Sequence, residues 1–174
     1  MRTQPLRRHA PGPDHPDGVA HSAADRVRDR ADVTATLILL VVAPDLTSIE
    51  MVNAGHLPTL IVNDGTAGYV DSDNLLLGLA GPPPVSTVLP FHPGDSLVLV
   101  TDGLIERRGQ SLSDALGDLK SVAAGAAESA EHLADLLVDH FNVGSAEDDV
   151  AIVILRRADG LATAETADGE ATTP

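Results

Sequence analysis

The sequence contains no cysteine and no tryptophan, and only two phenylalanines and one tyrosine among its 174 residues. The absence of cysteine excludes disulfide bonds and thiolate metal sites. Because aromatic residues are so few, the core must be built from Leu, Val, Ile and Ala. Long apolar runs are also missing, since the longest largely apolar stretch, residues 35–43, is far too short to cross a bilayer. We therefore expect a domain with an aliphatic core and no membrane partner.

Charge is strongly negative and unevenly distributed. The formal net charge of −15 argues against nucleic acid and anionic lipid as partners. Residues 1–33 carry six arginines and five aspartates, whereas the rest of the chain carries five basic and 21 acidic residues. The N-terminal arginines are not followed by the apolar segment of a signal peptide, so we expect a cytoplasmic location.

Composition divides the chain into three segments. Residues 1–20 are rich in Pro, Arg, His and Asp without apolar periodicity, which predicts disorder, and residues 22–32 predict one short polar helix. Residues 1–33 are thus expected to be disordered or weakly helical. The tail, residues 158–174, is also expected to be disordered, which leaves residues 34–157 as the folded domain.

The first half of this domain predicts strands separated by turns. Asn63-Asp64-Gly65 is a strong hairpin signal, and His92-Pro-Gly-Asp95 predicts a further turn. Such a succession is typical of a β-meander. The predicted strands are residues 34–42, 48–53, 57–62, 68–70, 85–91 and 96–101.

The second half predicts two helices, residues 111–126 and 129–141, and a last strand, residues 150–155. Ser129 suits the N-cap of the second helix, and its apolar residues form one stripe. The stripe consists of Leu133, Leu136, Leu137 and Phe141. Strands followed by helices and a final strand predict an α+β fold, with antiparallel sheet covered by helices.

Two strands carry carboxylates at ends that can meet. Asp102 and Gly103 follow the strand at 96–101, and Asp148 and Asp149 precede the strand at 150–155. If these strands pair antiparallel, the carboxylates share one sheet edge, where Asp102 and Asp148 should lie within about 6 Å of each other. Taken alone, Asp102-Gly103 is better explained as a simple turn, and Asp148-Asp149 as a strand-entry turn or as solvated charge. Their combined order instead favours a hard divalent cation.

Five short motifs then occur in one order. They are Asn53-Ala-Gly-His56, Leu77-Gly-Leu79, Pro93-Gly-Asp95, Thr101-Asp-Gly103 and Glu147-Asp-Asp149. The series resembles the C-terminal part of the bacterial metal-dependent (PPM, type 2C-like) serine/threonine protein phosphatases, in the branch of sporulation stage II protein E and the sigma-factor regulators. This resemblance implies an α-β-β-α sandwich, two antiparallel sheets flanked by helices, that is N-terminally truncated.

The resemblance also implies a site and a substrate. Asp102 and Asp148 match ligands of a Mn²⁺ or Mg²⁺ pair, with Asp149 as a supporting or alternate ligand and with His56 and Gly103 near the site. No side chain is implied as the catalytic nucleophile, because a metal-bound water has that role. The implied substrate is a phosphoserine or phosphothreonine protein of the anti-sigma-factor-antagonist type, which predicts a function in signal transduction and sigma-factor regulation. For His56 itself, orienting a loop is the preferred interpretation over binding the metal.

The chain departs from the family pattern before residue 34. A motif like Asp-Val-Ser-Gly-His-Gly, whose aspartate bridges both metals, is absent, and Asp17-Gly-Val-Ala-His21 is only faintly similar to it. The position two residues after Asp149 is Ala151, where the family often has threonine. These departures predict impaired catalysis and leave open a non-catalytic phosphatase-like binding or regulatory module. They also predict an exposed strand edge and self-association.

Overall fold

Seven strands and four helices make up the part of the chain that the structure describes. The structure is a computed structural model and describes residues 15–29, 33–70, 72, 74–107, 109–125, 129–143 and 148–158. Its elements are α1 (Pro16–Arg28), β1 (Leu37–Val42), β2 (Ser48–Ala54), β3 (Leu60–Asn63), β4 (Thr66–Tyr69), β5 (Thr87–Pro90), β6 (Ser96–Val100), α2 (Asp102–Ile105), α3 (Leu112–Ala124), α4 (Ala130–Phe141) and β7 (Ile152–Arg156).

The strands form two antiparallel sheets rather than one meander. One sheet has the order β1-β2-β5 and the other the order β4-β3-β6-β7. The turn at His92–Asp95 therefore connects two sheets, although its composition also suits a hairpin. The meander prediction was wrong at this point because turn residues specify a local reversal of the chain and not the strand that is paired next.

Three apolar layers hold the sheets and helices together. Ile49, Phe91 and Leu97 are buried between the two sheets. α1 covers the outer face of the first sheet through Ala24, which packs with Ala54. On the second sheet α3 and α4 bury the largest cluster. That cluster includes Leu60, Val98, Leu119, Leu133, Leu137 and Phe141. The predicted α-β-β-α sandwich is confirmed, and no helix among the described residues is long and apolar enough to span a bilayer.

Local signals position the helices and the hairpin as the sequence predicts. The Ser129 hydroxyl accepts a hydrogen bond from the His132 N–H at 3.0 Å and caps α4. Asp64 and Gly65 connect β3 to β4 with φ angles of 42° and 73°, the left-handed conformation that this two-residue turn requires. These elements depend on neighbouring residues alone, which is why the sequence predicts them.

Helix α1 begins six residues before the predicted start at Ser22. His15 is its N-cap, and Pro16 and Asp17 occupy the first turn, where a fixed φ and a negative charge are both favourable. The prediction of disorder across residues 1–20 was therefore wrong for residues 16–20. Residues 1–14 and 159–174 lie outside the described residues, as does the disorder predicted there.

Tyr69 connects the second sheet to α3, and its ionisation should report on that contact. The hydroxyl donates a hydrogen bond to the Leu116 carbonyl at 2.7 Å, and burial raises the pKa of Tyr69 to about 12. Since the folded state prefers the neutral phenol, its stabilising contribution is complete below the unfolded pKa of about 10 and is lost as the pH rises through about 12.

Ultraviolet titration can measure this directly, because the chain has one tyrosine and no tryptophan. We expect a midpoint near 12 in the folded protein and near 10 in urea, with circular dichroism confirming the fold at each pH. As a control, Tyr69→Phe should abolish the signal and cost about 1 kcal/mol of stability. Equal midpoints in both solvents would contradict the burial of the phenol.

Candidate metal site

Three chain segments converge at one edge of the second sheet. β6 ends there at Val100, and β7 begins there, since Ile152 pairs with Val100 in the antiparallel register. β3 also begins at this edge, because Leu60 pairs with Val98. The antiparallel arrangement predicted for the strands at 96–101 and 150–155 is thus present. It places Asp102, which follows β6, beside Asp148 and Asp149, which precede β7.

Thr101 joins these two segments directly. Its N–H donates to the Ala151 carbonyl at 3.0 Å. Its hydroxyl donates to the Asp149 carbonyl at 3.1 Å and accepts from the Ala151 N–H at 2.8 Å. Sequence reasoning named Thr101 only as part of a motif and missed this role. A threonine at a strand end has many uses, and only the pairing partner identifies this one.

Gly103 lies against the backbone of the opposite segment. A β-carbon at this position would lie 2.5 Å from the Asp149 carbonyl oxygen and 3.2 Å from that of Asp148. Both neighbours are backbone atoms, so they cannot rotate away. The glycine therefore sets how closely the Asp102 segment approaches the Asp148–Asp149 segment, as close backbone approach generally requires.

The three carboxylates themselves are exposed to solvent. Asp102 accepts a hydrogen bond from the Gly103 N–H at 3.0 Å, and Asp148 accepts one from the Asp149 N–H at 2.8 Å. Among the described residues they do not form a group of three whose ligand oxygens all lie within 4.8 Å of one another. The separation of about 6 Å between Asp102 and Asp148 stays a prediction.

The loop from Asn53 to His56 enters this edge from the other sheet. Asn53 is buried, and its side chain accepts from the His56 N–H at 3.0 Å and donates to the Leu57 carbonyl at 3.0 Å. The His56 Nδ1 lies 3.2 Å from the same carbonyl. Leu57 packs against the core cluster of the second sheet, three residues before β3 begins at Leu60.

Two of the other motifs make turns and connections in the described residues. Leu77 exchanges backbone hydrogen bonds with Ala35. Gly78 has a φ of +93°, and a side chain at this position would also clash with the Val33 carbonyl. The buried Asp95 carboxylate accepts from the His92 N–H at 2.7 Å and from the Asn63 amide, which closes its turn. The motif series therefore combines structural turns with the carboxylate edge.

A second group of possible metal ligands lies elsewhere and was missed from sequence. His15, Asp17 and Glu50 have ligand atoms that all lie within 4.8 Å of one another. Neither Asp102 nor Asp148 belongs to this group. Asp17 accepts from the Ser86 N–H at 2.6 Å, and Glu50 accepts from the Ser86 hydroxyl at 2.6 Å. These bonds attach the start of α1 to the first sheet.

Comparison with known proteins identifies the family. Residues 2–158 match the family described as Stage II sporulation protein E (SpoIIE). The chain belongs to the SpoIIE family. The match includes the carboxylate edge, the Asn53–His56 loop and α1 within one family domain.

Solved structures agree with this SpoIIE-family assignment. The RsbU and RsbW domains of a Mycobacterium tuberculosis protein are 27% identical, with a TM-score of 0.70 over 79% of this chain and 40% of that chain. The PP2C phosphatase domain of SpoIIE from Bacillus subtilis, solved with a fragment of its regulatory domain, is 21% identical, with a TM-score of 0.70 over 83% of this chain and 45% of that one. The chain therefore spans less than half of either structure.

A third structure shares the fold and contains metal. The catalytic domain of the serine/threonine protein phosphatase PstP, in complex with 2 manganese ions, is 20% identical, with a TM-score of 0.50 over 82% of this chain and 68% of that chain. The family match and the shared fold show that this chain covers part of a domain of the SpoIIE and RsbU, PPM type.

Proposed function

We propose that this domain is a cytoplasmic, metal-dependent phosphatase that removes phosphate from phosphoserine or phosphothreonine on a signalling protein. The observation that carries the proposal is the attachment of Asp102 to the Asp148–Asp149 segment through Thr101 and Gly103. That arrangement joins two acidic segments at one exposed sheet edge. Exposure suits the site because a phosphorylated side chain on another protein must reach it.

The donor set supports manganese or magnesium as the cofactor. Asp102, Asp148 and Asp149 offer carboxylate oxygens, the ligands that hard divalent cations prefer, and the chain has no cysteine for a softer metal. Asp102 and Asp148 would hold the ion, and Asp149 would support them.

Bound there, the ion would supply positive charge next to the phosphoryl oxygens and increase the acidity of water. The protein's own contribution is positional. Thr101 keeps β6 and the Asp149 segment in register, while the Asn53 side chain holds His56 at the end of the neighbouring loop.

The proposed substrate is a phosphorylated anti-sigma-factor antagonist, which would place the protein in sigma-factor regulation. Support comes from the family and from the RsbU-type neighbour, whose structure also contains an RsbW domain. The acidic surface implied by a net charge of −15 favours substrates that are not strongly acidic around the phosphorylated residue.

The second candidate function is a non-catalytic module that binds a partner. It is favoured because Asp102, Asp148 and Asp149 do not form, among the described residues, a group of three with ligand oxygens within 4.8 Å of one another. Metal binding and turnover together distinguish the two functions, because a binding module needs neither.

The test combines thermal unfolding in Mn²⁺ with hydrolysis of a phosphoserine peptide. An ion that binds only the folded state should add about 2.7 kcal/mol of stability at a hundredfold excess over its Kd. Asp102→Asn should abolish both that gain and the turnover. It should also stabilise the metal-free protein slightly, because like-charge repulsion is relieved.

The matched control is Asp135→Asn, which removes the same charge from an exposed position on α4. It should preserve the Mn²⁺ response and the turnover. Turnover that survives Asp102→Asn would exclude this carboxylate from the site. A Mn²⁺ response without turnover in the unsubstituted chain would instead favour the binding module.

A further inference from the structure

The start of α1 and strand β2 bring one histidine and two carboxylates together on the first sheet. His15 is the N-cap of α1, Asp17 lies in its first turn and Glu50 lies in β2. Each contributes a ligand atom, and the three atoms all lie within 4.8 Å of one another. Imidazole nitrogen and carboxylate oxygen are both metal ligands, so the group has the donor set of a divalent-cation site.

The spacing of the donor atoms suits coordination of one ion. The His15 Nε2 lies 3.1 Å from the Glu50 Oε1, and the His15 Nδ1 lies 4.0 Å from the Asp17 Oδ2. Two ligands of the same zinc ion, each about 2.0–2.2 Å from it, are roughly 2.8–3.6 Å apart at octahedral or tetrahedral angles. The Nε2–Oε1 pair already has this separation, so binding requires adjustment of side chains and not of the backbone.

Both carboxylates are oriented by Ser86, the residue before β5. Its N–H donates to the Asp17 Oδ1 at 2.6 Å, and its hydroxyl donates to the Glu50 Oε1 at 2.6 Å. The side chains of Asp17 and Glu50 are only 15% and 24% exposed. Hydrogen bonds from residues outside the ligand set are what orient ligands in metal sites. The fold therefore positions the two carboxylates, which distinguishes them from freely solvated surface charges.

Charge also favours a divalent cation at this position. The carboxylates of Asp17 and Glu50 carry two negative charges, and a neutral imidazole carries none. A protonated His15 offsets one of these charges, whereas a divalent cation offsets both. The net charge of −15 on the chain adds to the attraction for a cation.

The other ring nitrogen of His15 defines what a cation must displace. The His15 Nδ1 accepts a hydrogen bond from the Asp17 N–H at 3.3 Å, so a neutral ring carries its proton on Nε2, which faces Glu50. A cation that binds Nε2 moves this proton to Nδ1, and the bond to the Asp17 N–H is given up. That bond is longer than the usual value of about 3.0 Å and is correspondingly weak.

We propose that His15, Asp17 and Glu50 bind a divalent cation such as Zn²⁺, which clamps the start of α1 to the first sheet. The imidazole ligand distinguishes this site from the carboxylate edge at Asp102, because sites that include nitrogen bind Zn²⁺ more tightly than Mn²⁺. The ion would connect α1 directly to β2, while Ser86 connects both carboxylates to the segment before β5. Water would complete the coordination of a cation with three protein ligands.

Calorimetric titration of the full chain with Zn²⁺ tests the site. His15→Asn removes the imidazole but keeps a residue type that caps helices well, so α1 should persist while the tightest Zn²⁺ affinity falls by about a hundredfold. Ser86→Ala removes the hydroxyl that orients Glu50 and should weaken binding by about tenfold. The matched control, His132→Asn, removes an exposed imidazole on α4 and should leave the affinity unchanged.

Nuclear magnetic resonance of the imidazole rings identifies the ligand atom. The ring signals that are missing from His15→Asn belong to His15. Addition of Zn²⁺ should move the proton of this ring from Nε2 to Nδ1. Amide hydrogen exchange in α1 should also slow, because an ion that binds only the docked helix stabilises it.

Three outcomes would overturn the proposal. One is an absence of Zn²⁺ binding, or an equal affinity in the parent and in a His15→Asn variant that circular dichroism shows to be folded. Another is Zn²⁺ binding that leaves the His15 proton on Nε2. The third is hydrogen exchange in α1 that Zn²⁺ does not change. Asp102→Asn should bind Zn²⁺ at this site as the parent does, so the cation clamp and the proposed phosphatase function are tested separately.

Discussion

Leu137→Ala is expected to destabilise the protein by about 2–5 kcal/mol, the largest effect of any substitution considered. Leu137 is completely buried on α4, within the cluster between the helices and the second sheet. Removing its side chain loses the transfer free energy of the apolar atoms and leaves a cavity that neighbours on three elements cannot fill. Urea unfolding should show a lower midpoint at an unchanged m-value.

The adjacent residue offers a control in the same helix. Val138 is 43% exposed, and Val138→Ala should change stability by less than about 0.5 kcal/mol. Equal losses for the two variants would mean that α4 does not bury the face that contains Leu133, Leu137 and Phe141.

Gly103→Ala is expected to cost about 1–3 kcal/mol and to weaken the Mn²⁺ response proposed for the site. The new β-carbon would lie 2.5 Å from the Asp149 carbonyl oxygen, so one of the two backbone segments must move. That movement separates Asp102 from Asp148 and Asp149. Thermal unfolding with and without Mn²⁺ measures both effects in one experiment.

Gly117→Ala is the matched control. Gly117 lies in α3, and a β-carbon there would have no atom within 4 Å. Alanine is the better helix former, so this variant should gain roughly 0.5–1 kcal/mol and leave the Mn²⁺ response unchanged. A Gly103→Ala variant as stable as the parent would show that the two segments approach less closely than the structure indicates.

Sequence patterns predicted the parts of the fold that depend on neighbouring residues. The Ser129 cap, the Asn63–Gly65 hairpin and the apolar stripe of α4 each involve residues close together in the chain. Each can therefore be recognised from a short stretch of sequence. The start of α1 was missed although Pro16 and Asp17 are a helix-start signal. The predicted helix began at Ser22 instead, while a contact that holds the true start comes from Ser86, far along the chain.

In the candidate site, too, some features were predictable from the sequence and others were not. Asp102 follows one apolar run and Asp148 precedes another, so the sequence predicted that the two carboxylates meet if these strands pair antiparallel, and β6 and β7 do pair in that way. The role of Thr101 was not predictable, because its hydroxyl bonds the backbone of a segment 48 residues away. Nor was the group of His15, Asp17 and Glu50, whose members approach one another only after α1 packs on the first sheet.

By itself, the sequence determined the aliphatic composition of the core, the helix and turn signals, and the carboxylates at strand ends, because side-chain chemistry and spacing are local properties. Only the tertiary structure decided which strands share a sheet and which acidic segments meet at its edge. It also decided that β1, an apolar run like β6, has a neighbour on only one side among the described strands. Strand pairing is a long-range choice among similar apolar runs, and the packing of the whole chain makes that choice.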